Sequence, residues 1–147
     1  MWLFADRREA GRALAARVAW YRAAAPIVLA LPRGGLPVAV EVAERLDAPL
    51  DVIVVRKLGV PYQPELGVGA IGESRALVLN REVLRASGVG VRAMRHLEEQ
   101  ERAEVDRRAT SLRGGRAMTS LRGRTVIIVD DGIASRSFLA ASEMLVL

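Results

Sequence analysis

The sequence predicts an α/β domain built on a doubly wound parallel sheet. Three short apolar runs, IVLAL at 27–31, LDVIVV at 50–55 and TVIIV at 125–129, have the length and β-branched content of strands covered on both faces. Helical patterns separate them, and each run ends at a turn rich in glycine, cations or carboxylates. Strand, helix and strand within about 30 residues make a βαβ unit, which requires a parallel pair with a right-handed crossover.

The elements follow in order. Asp6 with Glu9 has capping-box spacing and opens a helix whose apolar positions run through Ala13, Leu14, Val18 and Ala19, with Pro26 as its stop. The first strand is expected over 27–31, broken by Pro32-Arg33-Gly34-Gly35, and LPVAVEVAERLD then reads as a helix. The second strand is expected over 50–55. After Arg56-Lys57, the Gly- and Pro-rich stretch LGVPYQPELGVGAIGES reads as a mobile lid over about 58–75, with a small β-ribbon from Val68–Ile71 and Ala76–Leu79. Asn80 is placed to cap a short helix through Leu84, and a long polar helix is expected from Val91 to Leu112, ended by Gly114-Gly115. The third strand covers 125–129 and a last helix 138–145. No internal repeat marks a second domain, so 1–147 reads as one domain.

Composition narrows the class. The 147 residues are 51% hydrophobic but 4% aromatic, so the core is built from Ala, Val, Leu and Ile. The absence of cysteine excludes a disulfide framework and a thiolate metal site. No apolar run approaches the roughly 20 residues that span a bilayer, and the early charges of MWLFADRREAGRAL do not suit a secretory signal, so a cytoplasmic protein without a membrane partner is expected. The net charge of +5 invites a nucleic-acid partner, but the arginines interleave with glutamates as on a solvated helix face, and few aromatic residues are present for base stacking. His96 falls in that charged helix and reads as solvated surface; Trp2, Trp20 and Tyr21 read as N-terminal packing.

Three candidate sites all lie at strand ends, where ligands of open α/β sheets collect. In the first, Arg33-Gly34-Gly35, two glycines offer backbone N–H groups at the start of a helix, an anion site to which Arg33 can add a bidentate contact; a plain tight turn would have the same composition. The second is Arg56-Lys57, and Lys57 is the sole lysine of the chain. A compact, mobile ammonium can follow a phosphate, although a cationic pair that stops a strand would read alike. The third is Asp130-Asp131, followed by a turn through Ala134-Ser135-Arg136-Ser137. Adjacent carboxylates suit a hydrated Mg²⁺ or the vicinal hydroxyls of a sugar, and the serine turn offers hydroxyls and free N–H groups to a phosphate. An Asp-Asp-Gly turn with a serine cap is the bland alternative. Together the three describe a site for a sugar phosphate.

These residues resemble the type I phosphoribosyltransferases. VIIVDDGIASRS looks like that family's signature for phosphoribosyl pyrophosphate (PRPP), LPRGG like its pyrophosphate loop, and VVRKLGVPYQPELGVGAIGE like its strand end and flexible loop; the similarity runs from about Phe4 to Ala141 and is closest to uncharacterised stand-alone bacterial members. The resemblance implies that Asp130 and Asp131 contact the ribose hydroxyls, with Mg²⁺ bridging the diol and the pyrophosphate rather than sitting in a protein cage. It implies that Ala134 to Phe138 cradle the 5-phosphate, and that Arg33, Gly34 and Gly35 take the pyrophosphate. Arg56 and Lys57 would neutralise the leaving group, with 59–72 closing over the site. The expected partners are PRPP and a small-molecule base, with a homodimer as the family's common assembly and nucleotide salvage as its setting.

The chain departs from the family where Thr-Gly-x-Thr becomes Ser135-Arg136-Ser137-Phe138, and the family's further parallel strand and helix would fall beyond Leu147. Two other readings therefore stay open: a catalytically impaired PRPP- or nucleotide-binding module, and a truncated phosphoribosyltransferase. A phospho-acceptor receiver domain also uses an acidic pair and a lysine on a doubly wound sheet. Its acidic pair follows the first strand and its lysine a late one, the reverse of the order here.

Overall fold

The computed structural model describes residues 3–132, which divide into two compact units: 3–53 with 116–132, and Val54–Gly115. The expectations for Ala134 to Phe138, and for the last helix, lie outside the described residues.

The first unit opens with α1 (Arg7–Val18), capped by Asp6, whose side chain accepts from the Glu9 N–H at 2.7 Å. A 3₁₀ turn follows (Ala19–Ala24) and leads to β1 (Ile27–Ala30), α2 (Gly35–Leu46) and β2 (Leu50–Val52). The chain returns to this unit as β6 (Val126–Val129), numbered after the strands of the second unit. The sheet is parallel in the order β2-β1-β6, with Ile27 opposite Val126 and Val28 opposite Leu50. All four residues of β1 are buried, as its unbroken apolar run requires. Val38, Ala39, Val42, Ala43 and Leu46 form the buried stripe of α2, which packs on the three strands while α1 packs on α2. Gly11 makes the close helix contact possible, since a Cβ there would stand 2.8 Å from the Val38 carbonyl. Arg8 and Arg12 both reach Glu41 across the same contact, at 2.8 and 3.6 Å.

The expected packing role of Trp20 is corrected. Its side chain is 70% exposed and stacks on Tyr21, with ring centroids 3.6 Å apart.

The second unit holds an antiparallel sheet in the order β3-β4-β5, from β3 (Val55–Val60), β4 (Gln63–Gly72) and β5 (Leu77–Leu79). The second strand expected over 50–55 is thus two pieces: β2 stops at Val52, and Val55 opens a different sheet. The stretch read as loop and ribbon is a long hairpin, turned at Pro61-Tyr62 between the paired Val60 and Gln63. Two helices follow, α3 (Arg81–Ser87) and α4 (Val91–Arg113). Asn80 caps α3 by accepting from the Val83 N–H, and α4 ends at Gly114, in the left-handed region with φ of 60°. The core joins Leu58, Val60, Val68 and Ile71 of the sheet to Val105 and Ala109 of α4. His96 is exposed on α4, as its charged surroundings suggested. No helix among the described residues is long and apolar enough to cross a membrane.

Candidate active site at the end of the parallel sheet

Chain topology points to one place in the first unit. From β1 the chain crosses through α2 to β2 on one side, while β6 lies on the other side of β1. The crevice between the carboxyl ends of β1 and β6 is where such sheets bind ligands. The turn 31–35 leaves β1 there, and Asp130-Asp131 leaves β6 there.

The two are packed together through glycine. A Cβ at Gly35 would lie 2.6 Å from the Val129 carbonyl oxygen and 3.1 Å from the Asp130 Cα, and a Cβ at Gly34 would overlap the Asp131 carboxylate. Both glycines have right-handed helical or unexceptional backbone, so close approach, not conformational freedom, demands glycine here. The Leu31 N–H donates to the Val129 carbonyl at 2.9 Å, extending the β1–β6 pairing to the turn. Gly35 donates back to the Leu31 carbonyl at 3.0 Å and starts α2; the Pro32–Arg33 peptide bond is cis. The positive end of α2 therefore opens beside the acidic pair.

Each carboxylate has an oxygen already engaged. Asp130 Oδ1 accepts from the Asp131 N–H at 2.8 Å, and Asp131 Oδ2 accepts from Arg7 Nε at 2.9 Å, with Nη2 of the same guanidinium 2.8 Å away. Among the described residues, no hydrogen bond reaches the other oxygen of either carboxylate. One oxygen of each carboxylate thus stays available, among the described residues, to hydroxyl donors or to a cation. No group of three or more His, Cys, Asp or Glu side chains clusters among the described residues. A pair of carboxylates fits a Mg²⁺ that keeps waters and takes further oxygens from a phosphorylated ligand.

The structure brings Gly34, Gly35, Asp130 and Asp131 together, with Arg33 exposed at the turn; its carbonyl accepts from the Leu36 N–H at 3.2 Å, and its guanidinium makes no hydrogen bond or ion pair among the described residues. Arg56 and Lys57 belong to the second unit, where they are the second and third residues of β3 rather than the end of a strand. Arg56 Nε donates to Glu101 of α4 at 2.8 Å, in a part-buried pair. Lys57 is exposed, its Nζ 3.5 Å from the Glu65 carbonyl oxygen. Ala134, Ser135, Arg136 and Ser137 lie outside the described residues.

Sequence reasoning missed Arg7. Its partner stands 124 positions away, and nothing in RREAGRAL separates Arg7 from the arginines beside it.

Known proteins are similar to this chain over most of its length. The phosphoribosyl transferase domain model matches residues 6–135. Over 135 residues, 92% of this chain, the sequence is 55% identical to the Mycobacterium tuberculosis H37Rv protein named "Putative phosphoribosyl transferase Rv0571c", and equally to its CDC 1551 counterpart MT0597; this chain spans 30% of the length of those relatives. The crystal structure of TT1426 from Thermus thermophilus matches with a TM-score of 0.78 and 41% identity, over 97% of this chain and 66% of that one.

Proposed function

The chain belongs to the phosphoribosyl transferase domain family, and from that premise we propose that it transfers the phosphoribosyl group of PRPP to a nitrogenous base with Mg²⁺ bound. The observation that supports this reading is the contact of the Gly34-Gly35 turn with Asp130 and Asp131, the turn being read as the pyrophosphate loop and the acidic pair as the ribose acids.

In the proposed reaction the bond from C1 of the ribose to pyrophosphate breaks, its electron pair leaving on pyrophosphate. The C1–N bond forms from the lone pair of the base. Asp130 and Asp131 hold the ribose hydroxyls, and the N–H groups at Gly34 and Gly35 with the Arg33 guanidinium hold the pyrophosphate. Ala134, Ser135, Arg136 and Ser137 take the 5-phosphate. Mg²⁺ bound near Asp130 and Asp131 supplies charge neutralisation for the leaving group. Arg56 and Lys57 are assigned the same task, Lys57 being the freer of the two, and 58–75 the task of a lid that excludes water from the cation-like sugar. A homodimer working in cytoplasmic nucleotide salvage belongs to the same reading.

Calorimetric titration of PRPP, with Mg²⁺ and again with chelator, tests it. Mg²⁺-dependent micromolar binding is expected, and its absence from a folded, monodisperse sample would reject the assignment. A second reading is favoured by Arg136 and Phe138, which replace the glycine and second threonine of the family's phosphate loop. It is a module that binds PRPP or a nucleotide without turnover. Release of pyrophosphate on adding a base separates the two.

A further inference from the structure

We propose that Arg7 is a positioning residue of the ribose site, orienting Asp131 for the ligand; this rests on the reading of Asp131 as a ribose-binding acid. Arg7 Nε donates to Asp131 Oδ2 at 2.9 Å with Nη2 of the same guanidinium 2.8 Å from that oxygen, and none of the described residues bonds Oδ1. A carboxylate turns freely about its last bond unless one oxygen is held. The fork from Arg7 fixes the plane of the group and reserves Oδ1 for an incoming hydroxyl.

Arg7 is itself held in place from below. It occupies the first position of α1, and α1 is seated on α2 at Gly11 and tied there by Arg8 and Arg12 to Glu41, whose side chain is only 10% exposed. The backbone of Arg7 is thus fixed before its side chain reaches Asp131. The pair is itself half-open to solvent, with Arg7 60% and Asp131 32% exposed, so it adds little to stability. A bond that adds little to the fold yet reaches the acid assigned to the ligand is placed for orientation.

The test compares wild type, Arg7→Gln and Arg7→Lys as full chains, titrated with PRPP and Mg²⁺ and, separately, with inorganic pyrophosphate and chelator, so that no cation links pyrophosphate to Asp131. Arg7→Gln is expected to weaken PRPP by about tenfold, the low end of what losing the partner of a ligating carboxylate costs. Pyrophosphate, which does not use Asp131, should lose less than about twofold, and Arg7→Lys should recover part of the PRPP affinity through a single bond to Oδ2. Equal weakening of both ligands would overturn the proposal, because a lost positive field or a loosened fold acts on both. Unchanged or tighter PRPP binding by Arg7→Gln would overturn it as well. Failure of the wild type to bind PRPP would instead reject the ribose assignment, and the role of Arg7 would fall with it. Thermal melting of each variant identifies an unfolded sample.

Discussion

Gly34 lies directly against the carboxylate of Asp131: a side chain at position 34 has no space that Asp131 does not already fill. The turn after the first strand and the acids after the last are therefore one packed object, and the two glycines there are not equivalent. What Gly34 touches is the end of a short side chain that can swing away. What Gly35 touches is the backbone at Val129 and Asp130, which cannot move without disturbing the β1–β6 pairing.

Gly35→Ala is accordingly expected to lower stability by about 1–3 kcal/mol, read as a shift of the urea midpoint. Gly34→Ala is expected to cost less stability but to displace Asp131 and weaken PRPP binding. A Gly34→Ala variant as unstable as Gly35→Ala, with full affinity, would contradict this division.

Asp130→Asn combined with Asp131→Asn should abolish measurable Mg²⁺-dependent PRPP binding while the melting temperature stays within a few degrees of wild type. Retained affinity in calorimetry would count decisively against the ribose assignment.

In the second unit, Glu73 and Arg113 form a buried bidentate pair, with side chains 11% and 7% exposed, and Glu73 Oε2 also accepts from the Val54 N–H at 3.0 Å. Glu73→Gln keeps an acceptor for Val54 but removes a charge that Arg113 pairs with. Breaking a buried pair from one side costs about 3 kcal/mol or more, and denaturant unfolding should show a loss of that size.

Arg107 and Arg108, three and four residues on, hydrogen-bond to Glu104 and hold its carboxyl down to about 2 from its ordinary 4.5. A depressed carboxyl stabilises the folded state fully above its unfolded value. That contribution fades as pH falls from about 4.5 through about 2. Carboxyl-carbon NMR should find the Glu104 midpoint near the lower value, and Arg107→Ala with Arg108→Ala should return it toward the ordinary one.

What the sequence made legible was local. Continuous apolar runs announce β1 and β6, Asp6 and Asn80 announce their helices by capping, and Gly114 announces the end of α4, because each signal lies within a few residues of its effect. The β3–β4 hairpin is legible only in part, as a ribbon from Val68, because Gly59, Pro61, Pro64 and Gly67 speak against strands before it. Its ladder survives because Pro61 sits in the turn, and Pro64 lies beyond the reach of β5, which pairs only with Gly69–Ile71. The alternation of Leu58 and Val60 supplies the period of two on β3, while Val68 and Ile71 of β4 join them in one core next to a register shift. At the site, the residue types and their order were legible. The Arg7 fork was not, since no local rule couples the start of the first helix to the end of the last described strand.

The parallel pairing of β1 with β6 also sets an order of events during synthesis. Until Val126–Val129 leaves the ribosome, β1 has only β2 beside it, and the edge that will receive β6 presents bare N–H and C=O groups on a wholly apolar strand. Such an edge invites pairing with other chains. The nascent protein thus carries this aggregation-prone edge through the translation of Val54–Gly115, and the residues that close it are the ones that carry Asp130 and Asp131 into place.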